Sequence, residues 1–372
     1  MSEYVRLVTK EGKTIRNDLY NPPPSIGSYI IFKKGDRTYV KNCRTGQIEF
    51  SHPDASTAIN HAIQALPEPK GGMIFIKRGV YELTNQITIP NGKSIYLAGE
   101  GQARGITNGT TVLKQADNAN LNRILSVESW SNTIRDLFIE GNIDNNTANT
   151  YGIVVVGGDN FLENIVVKRC HAGFLISGHA HTFINCAAEH CDTVGMLIRN
   201  ADDCTFWHLH SEDSGTYGYW IYGNTRYNTF FGCKGSLNGW DGWLIEAYED
   251  IPTRNAFIGC LARNNDRHGF HIKGAQRCIL DSCIVVDNSQ GANDTYDGVF
   301  LEAGTEGNSI RNIVKGCQIY NTAVTNKQRY GINEADASQD YNIYANNIVT
   351  DNVTGQMNIQ GLNSIDDNNM TA

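Results

Sequence analysis

The side chains best suited to chemistry lie between positions 199 and 302. Glu246, Lys273 and Glu302 close three similar phrases, DGWLIE, HGFHIK and DGVFLE, while His271, Phe300 and, in the earlier YGYWIYG, Trp220 and Tyr222 hold related places. Carboxylates beside aromatic rings are what a sugar-binding cleft requires, because rings stack on the apolar faces of pyranoses and carboxylates take hydroxyls or do acid–base work. If the phrases are successive strands of a parallel sheet, Glu246 and Glu302 stand two strands, about 9.6 Å, apart. Carboxyl groups roughly 6.5–9.5 Å apart suit an inverting glycosidase, in which one acts as general acid and the other activates water. Lys273 between them would hold one glutamate ionised, while the one nearer Phe300 would be pushed towards its protonated form. In an elimination, Lys273 or His271 would instead abstract the proton next to a uronate carboxylate that Arg199 neutralises. The same Glu246, Lys273 and Glu302 also make an ordinary charge ladder, contributing about 0.2–1 kcal/mol per exposed pair.

Two further groups carry less. Asp241, His268 and Asp297, placed just before repeat glycines, alternate in charge and suit turn stabilisation, with a share in the cleft as the alternative. His208 and His210 in FWHLHSED lack the carboxylate or cysteine spacing that would complete a zinc site, so neither a metal nor another cofactor is expected.

The element that must position these groups is a repeat. A glycine followed by an alternating strand recurs at Gly152, Gly173, Gly195, Gly218, Gly242, Gly269, Gly298 and Gly331. A drifting period with a fixed strand pattern is the mark of stacked coils with loops of variable length. One residue after each glycine stand Ile153, Phe174, Met196, Tyr219, Trp243, Phe270 and Val299; three after it stand Val155, Ile176, Ile198, Ile221, Ile245, Ile272 and Leu301. These columns share a face and form the interior, which leaves Arg199, Trp220, Tyr222, Glu246, His271, Lys273, Phe300 and Glu302 pointing outward. About eleven coils give a rod roughly 50 Å long. Longer excursions at 248–254, 289–296 and 322–329 are expected to wall one side of it. Cys186, Cys233, Cys260, Cys283 and Cys317 recur at one strand position and read as a buried thiol column. Recurrent asparagines, among them Asn238, Asn265, Asn288 and Asn352, read as a ladder of stacked amides in left-handed turns.

Before the repeat, residues 1–50 hold short strands, including a hairpin turning at Gly35 and Asp36. Residues 51–68 form a helix whose Ala58, Ile59, Ala62, Ile63 and Leu66 share one face, with Asp54 or Ser56 as N-cap, lying across the first coil. The segment from Asp54 to Gly101, with its helix, the GGMIFIKRGVY phrase, the ITIP strand and the closing GEG, resembles the opening of pectate-lyase-superfamily proteins. That resemblance implies a single-stranded right-handed parallel β-helix over residues 69–372. It also implies kinship with polysaccharide lyases, polygalacturonases and virus tailspikes. Asp202 and Asp203 match the DD of polygalacturonases, but no GHG or RIK follows. The WIDH and RxPxxR phrases of pectate lyases and the YGFDPH-like phrase of alginate epimerases are also absent, so no catalytic residues transfer.

A net charge of −8 leaves no basic stripe for nucleic acid. No run approaches the roughly 18 apolar residues of a membrane span, and the start has no signal-peptide core. Free thiols fit synthesis in a reducing cytosol and leave open a virion or extracellular surface as the final site. The expected partner is a polysaccharide, bound and cleaved by hydrolysis in preference to elimination. A homo-oligomer, with a trimer as one form, is also expected. The alternative is a non-catalytic structural subunit of a virion, appendage or surface assembly.

Overall fold

The computed structural model describes residues 29–101 and 109–371 and, of the segment before them, the backbone of an antiparallel pair, Leu7–Val8 with Thr14–Ile15. The rest of the expected strand YVRLV lies outside the described residues. The hairpin forms as read, Tyr29–Lys34 against Arg37–Asn42, with Gly35 at φ +63° in its turn and Ile48–His52 as a third antiparallel strand. It does not stand apart from the solenoid: Tyr29–Ile31 pairs in parallel with Ile74–Ile76 and so extends the first coil.

The helix spans Ala55–Ala65 and buries Ala55, Ala58, Ile59, Ala62 and Ile63. At its start, the Asp54 carboxylate accepts from Thr57 N at 2.8 Å, satisfying an N–H that has no partner within the helix. At its end, the buried Lys93 ammonium donates to the carbonyls of Ile63, Gln64 and Leu66 at 2.8–3.0 Å. One cation thereby serves three terminal carbonyls and complements the negative end of the helix dipole.

The remainder is a single-stranded right-handed parallel β-helix. Eleven parallel strands, from Ile87–Ile89 to Gly355–Asn358, stack into the sheet that carries the repeat glycines. From Thr182 onward each coil adds two short strands, such as Thr182–Ile184 and Ala187–Glu189, separated by two residues of which the first is left-handed. That corner residue is Asn185, His208, Gly232, Gly259, Ser282, Gly316, Asn346 or Asn368, all with φ between 51° and 63°. His208 is therefore a corner residue, and His210 belongs to the strand beyond it, which separates the two histidines considered as metal ligands.

Every interior residue read from the two glycine-linked columns is fully buried. Aromatic rings stack along the axis: Tyr219 on Trp243 at 3.6 Å, Trp243 on Phe270 at 5.3 Å, and Phe206 on Phe230 on Phe257 at 4.5 and 4.9 Å. The five thiols of the cysteine column are buried and free. One interior position breaks the pattern. Glu334, in register with Leu301, is fully buried and accepts hydrogen bonds from Asn342, Tyr344, Ser364, Gln360 N and Gly361 N.

The amide ladder is present, with two differences from the expectation. Asn238, Asn265 and Asn288 link at 2.8 Å, but Gln328 takes the next rung and passes it to Asn352. A second ladder at another corner includes Asn132–Asn160, Asn228–Asn255 and Asn312–Asn342. The left-handed residue is generally not the ladder asparagine but its predecessor, as with Asn264, Tyr227 and Arg254. The ladder therefore selects the amide for its hydrogen bonds, not for its tolerance of positive φ. Among the described residues no helix is long and apolar enough to cross a membrane.

Candidate functional site

The outward face of the eleven-stranded sheet carries the candidate residues in the anticipated register. Glu246 aligns with Lys273 and Lys273 with Glu302; Leu244 aligns with His271 and His271 with Phe300. The excursions bound this face differently from the single wall expected. The 248–254 segment follows the strand Trp243–Glu246, whereas 289–296 and 322–329 precede the strands Val299–Glu302 and Tyr330–Glu334. They stand at opposite ends of the strands and make a cleft, because a coil can lengthen at either corner of this sheet.

Within the cleft the charges are paired. Lys273 Nζ lies 3.0 Å from Glu246 Oε1, and Trp220 Nε1 donates to Glu246 Oε2 at 3.1 Å. His271 is held between two carboxylates, Nδ1 at 3.0 Å from Asp241 Oδ2 and Nε2 at 3.0 Å from Glu302 Oε1. Burial alone would lower the His271 pKa, but Asp241 and Glu302, one on each ring nitrogen, override it and raise it to about 9. The ring is then an imidazolium donating in both directions. The hydrogen bond from His271 in turn holds Glu302 below its ordinary pKa against the effect of burial. Burial would raise Asp241, yet His271 keeps it low as well.

These directions correct two expectations. Glu302, the glutamate nearer Phe300, is held ionised and not pushed towards protonation. His271, held between two carboxylates, and Lys273, engaged by Glu246, are both occupied, which does not suit the base of an elimination. The aromatic residues are also less available than the sequence suggests. Tyr222 is only 7% exposed, covered by Trp220, Tyr248 and Arg199. Phe300 lies against the imidazole of His268, with ring centroids 4.7 Å apart. Arg199 pairs with Glu249 and sits on a coil away from the paired glutamates. Trp220, half-buried, remains beside Glu246.

The second charge stack is both a turn device and a part of the site. His268 N donates to Asp241 Oδ1, Asp297 N donates to His268 Nδ1, and Asp297 takes a two-point pairing from Arg329. Asp241 thus anchors a turn with one oxygen and orients His271 with the other. The turn reading and the alternative of a shared cleft thus both hold for this stack, and the periodic column Tyr217, Asp241, His268, Asp297 is the signal that locates it.

One side of each of Asp241, His268, His271, Lys273, Glu302 and Arg267 faces a cavity of about 210 Å³. Possible ligand atoms of Asp241, His268 and His271 lie within 4.8 Å of one another. The hydrogen bonds disfavour a cation there. His268 Nδ1 is an acceptor and its other nitrogen therefore keeps its proton, while both His271 nitrogens donate to carboxylates.

The bridging imidazolium predicts a pH dependence of stability. The folded His271 value, about 9, is above its ordinary 6.5, so its contribution is complete below about pH 6.5 and is lost as pH rises through 9. The difference corresponds to about 3 kcal/mol. The thermal midpoint should fall between pH 7 and 10 and fall markedly less in His271→Gln. Equal falls in both proteins would remove this assignment.

The solenoid and its cleft define the class: a right-handed parallel β-helix with a carboxylate–histidine row on one sheet. Comparison with known proteins agrees on the fold. The family model described as right handed beta helix region matches residues 122–250. The mannuronan C-5 epimerase AlgE6 A-module of Azotobacter vinelandii superposes with a TM-score of 0.68 at 19% identity, over 85% of this chain and 95% of that one. The N-terminal fragment of bacteriophage Phi29 gene product 12 gives 0.60 at 12% identity, over 79% and 55% of the two chains. The enzymatically active domain of bacteriophage CBA120 tailspike protein 2 gives 0.57 at 12%, over 79% and 44%. No curated protein matches the sequence.

Proposed function

We propose that the cleft binds a polysaccharide and cleaves it by hydrolysis. The observation that carries this reading is an ionised, half-buried carboxylate, Glu302 at 32% exposure, fixed by a protonated histidine at the edge of a cavity with aromatic walls. Such a carboxylate suits a base that takes a proton from water as the water attacks the sugar. On the other side, Glu246, in contact with Lys273 and Trp220, is the second carboxyl group of the pair and the one that delivers a proton to the leaving oxygen. Two coils separate Glu246 from Glu302, about 9.6 Å between backbones, which leaves room for the water of an inverting reaction. The names of the structural neighbours, among them a mannuronan epimerase and the catalytic domain of an α-1,3-glucanase, support a polysaccharide as the class of substrate.

The test is digestion of a glycan panel with mass analysis of the products. Products that gain water support the reading. An unsaturated product would replace hydrolysis by elimination, and no turnover of any glycan would favour the structural alternative. The homo-oligomer is proposed on a separate face. There Trp207 stacks on Phe231 at 4.1 Å, with Ile184 and Ile258 in register on either side. Sedimentation equilibrium returning the monomer mass would remove that part of the reading.

A further inference from the structure

The cleft contains one cation that is not in an ion pair. Asp241 and Glu302 share His271, Glu246 takes Lys273, and Asp297 takes Arg329. Arg267 lines the same cavity, and among the described residues it forms no ion pair. It stands two residues before a repeat glycine, on the coil between those of Trp240 and Tyr296. Its guanidinium carbon lies 4.1 Å from the centroid of the first ring and 5.8 Å from that of the second. Rings on both sides restrain a guanidinium without using the N–H groups at its edge.

The neighbouring side chain carries a second unused donor. His268 Nδ1 accepts from Asp297 N at 2.9 Å, so the hydrogen of the neutral ring is on Nε2. No acceptor for that N–H is found among the described residues, although the side chain is only 9% exposed and lines the cavity. An N–H on the cavity wall with no protein acceptor is open to a ligand, and the natural complement of an unpaired guanidinium beside it is an oxyanion. Asp241 and Glu302 border the same space, but His271 already engages both. Those two carboxylates carry one charge more than His271 supplies, and Arg267 brings the lining to balance, so what the subsite offers an oxyanion is its N–H donors and not surplus positive charge.

We propose that Arg267 and His268 form a subsite for an oxyanion borne by the glycan, a carboxylate or a sulfate ester. This rests on the polysaccharide reading and narrows it to an acidic chain. The planar guanidinium supplies two parallel donors to such a group and the imidazole a third. A cavity of about 210 Å³ is smaller than sites that enclose drug-sized ligands, and it suits one substituent or one ring of a chain that otherwise runs along the open cleft.

The test has two arms. In the first, tryptophan fluorescence of the full chain is titrated with sodium sulfate against sodium chloride at constant ionic strength. In the second, binding is measured for a uronate polysaccharide and its carboxyl-reduced form, and for a sulfated galactan and its desulfated form. Wild type should bind one acidic form about ten-fold or more tighter than its neutral counterpart, and the pair that discriminates assigns carboxylate or sulfate. Arg267→Gln should lose the discrimination while still binding the neutral form, and Arg267→Lys should recover part of it. Equal discrimination by wild type and Arg267→Gln, or none by wild type, overturns the subsite and leaves the polysaccharide reading standing. If no glycan binds, yet sulfate perturbs wild type and not Arg267→Gln, the oxyanion site stands and the polysaccharide reading falls. Absence of both responses removes both.

Discussion

Glu302→Gln should abolish glycan cleavage, lowering kcat by a factor of about 10²–10⁴, the range expected for removing a general base, with little change in the fold. Glutamine keeps the shape of the side chain and an oxygen for the His271 N–H, but it cannot take a proton from water. The loss should appear in kcat more than in KM, because the group acts on the attacking water and binding surface remains on Trp220 and the cavity walls. Glu246→Gln should also slow the reaction, through the proton delivered to the leaving oxygen. A charge ladder with no catalytic role predicts something different: both variants would cleave like the parent and lose at most about 1 kcal/mol of stability. Full activity in Glu302→Gln would therefore overturn the assignment of the base.

The largest effect on stability should come from the interior. Trp243→Ala should cost about 3–5 kcal/mol, the range for a large buried aromatic. The indole stacks between Tyr219 and Phe270, meets Phe230 and Phe257 edge-on, and donates to Leu261 O at 3.3 Å. Room for it exists because position 235 is glycine. A Cβ there would lie 3.1 Å from Trp243 Nε1 and 2.6 Å from Gly242 O. Trp243→Phe should keep most of the stack and lose markedly less. Denaturant unfolding of the three proteins measures the difference, and a loss below about 1 kcal/mol in Trp243→Ala would show that neighbouring coils collapse into the space.

What the sequence revealed, and what it did not, follows from distance along the chain. The interior columns, the thiol column and the capping helix were legible because each is written in side-chain type at a fixed offset from a glycine or along a helical face. The corners were legible only in part. Backbone at φ near 55° is adopted here by Tyr227, Leu237 and Arg254 as well as by asparagine, because flanking strands impose it. Ionisation in the cleft was not legible. Whether Glu302 is charged depends on a histidine 31 residues away and on which oxygen of Asp241 is turned towards it. Arg267 escaped notice for a related reason: residues before the glycine look like turn, yet the bend of the coil brings them to the edge of the sheet face.

In-register parallel stacking also makes the spacing of functional groups digital. The backbones at equivalent positions on stacked coils are one step of about 4.8 Å apart, or two, or three, and the side chains reach from those fixed settings. Glycoside cleavage divides along the same scale. Carboxyls about 5 Å apart permit a covalent intermediate and retained configuration, whereas about twice that distance admits a water and inverts it. For a scaffold of this kind the number of coils between two carboxylates sets which of the two ranges their side chains start from. The coil that carries His271 and Lys273 is the unit whose deletion would bring Glu246 and Glu302 from the second setting to the first.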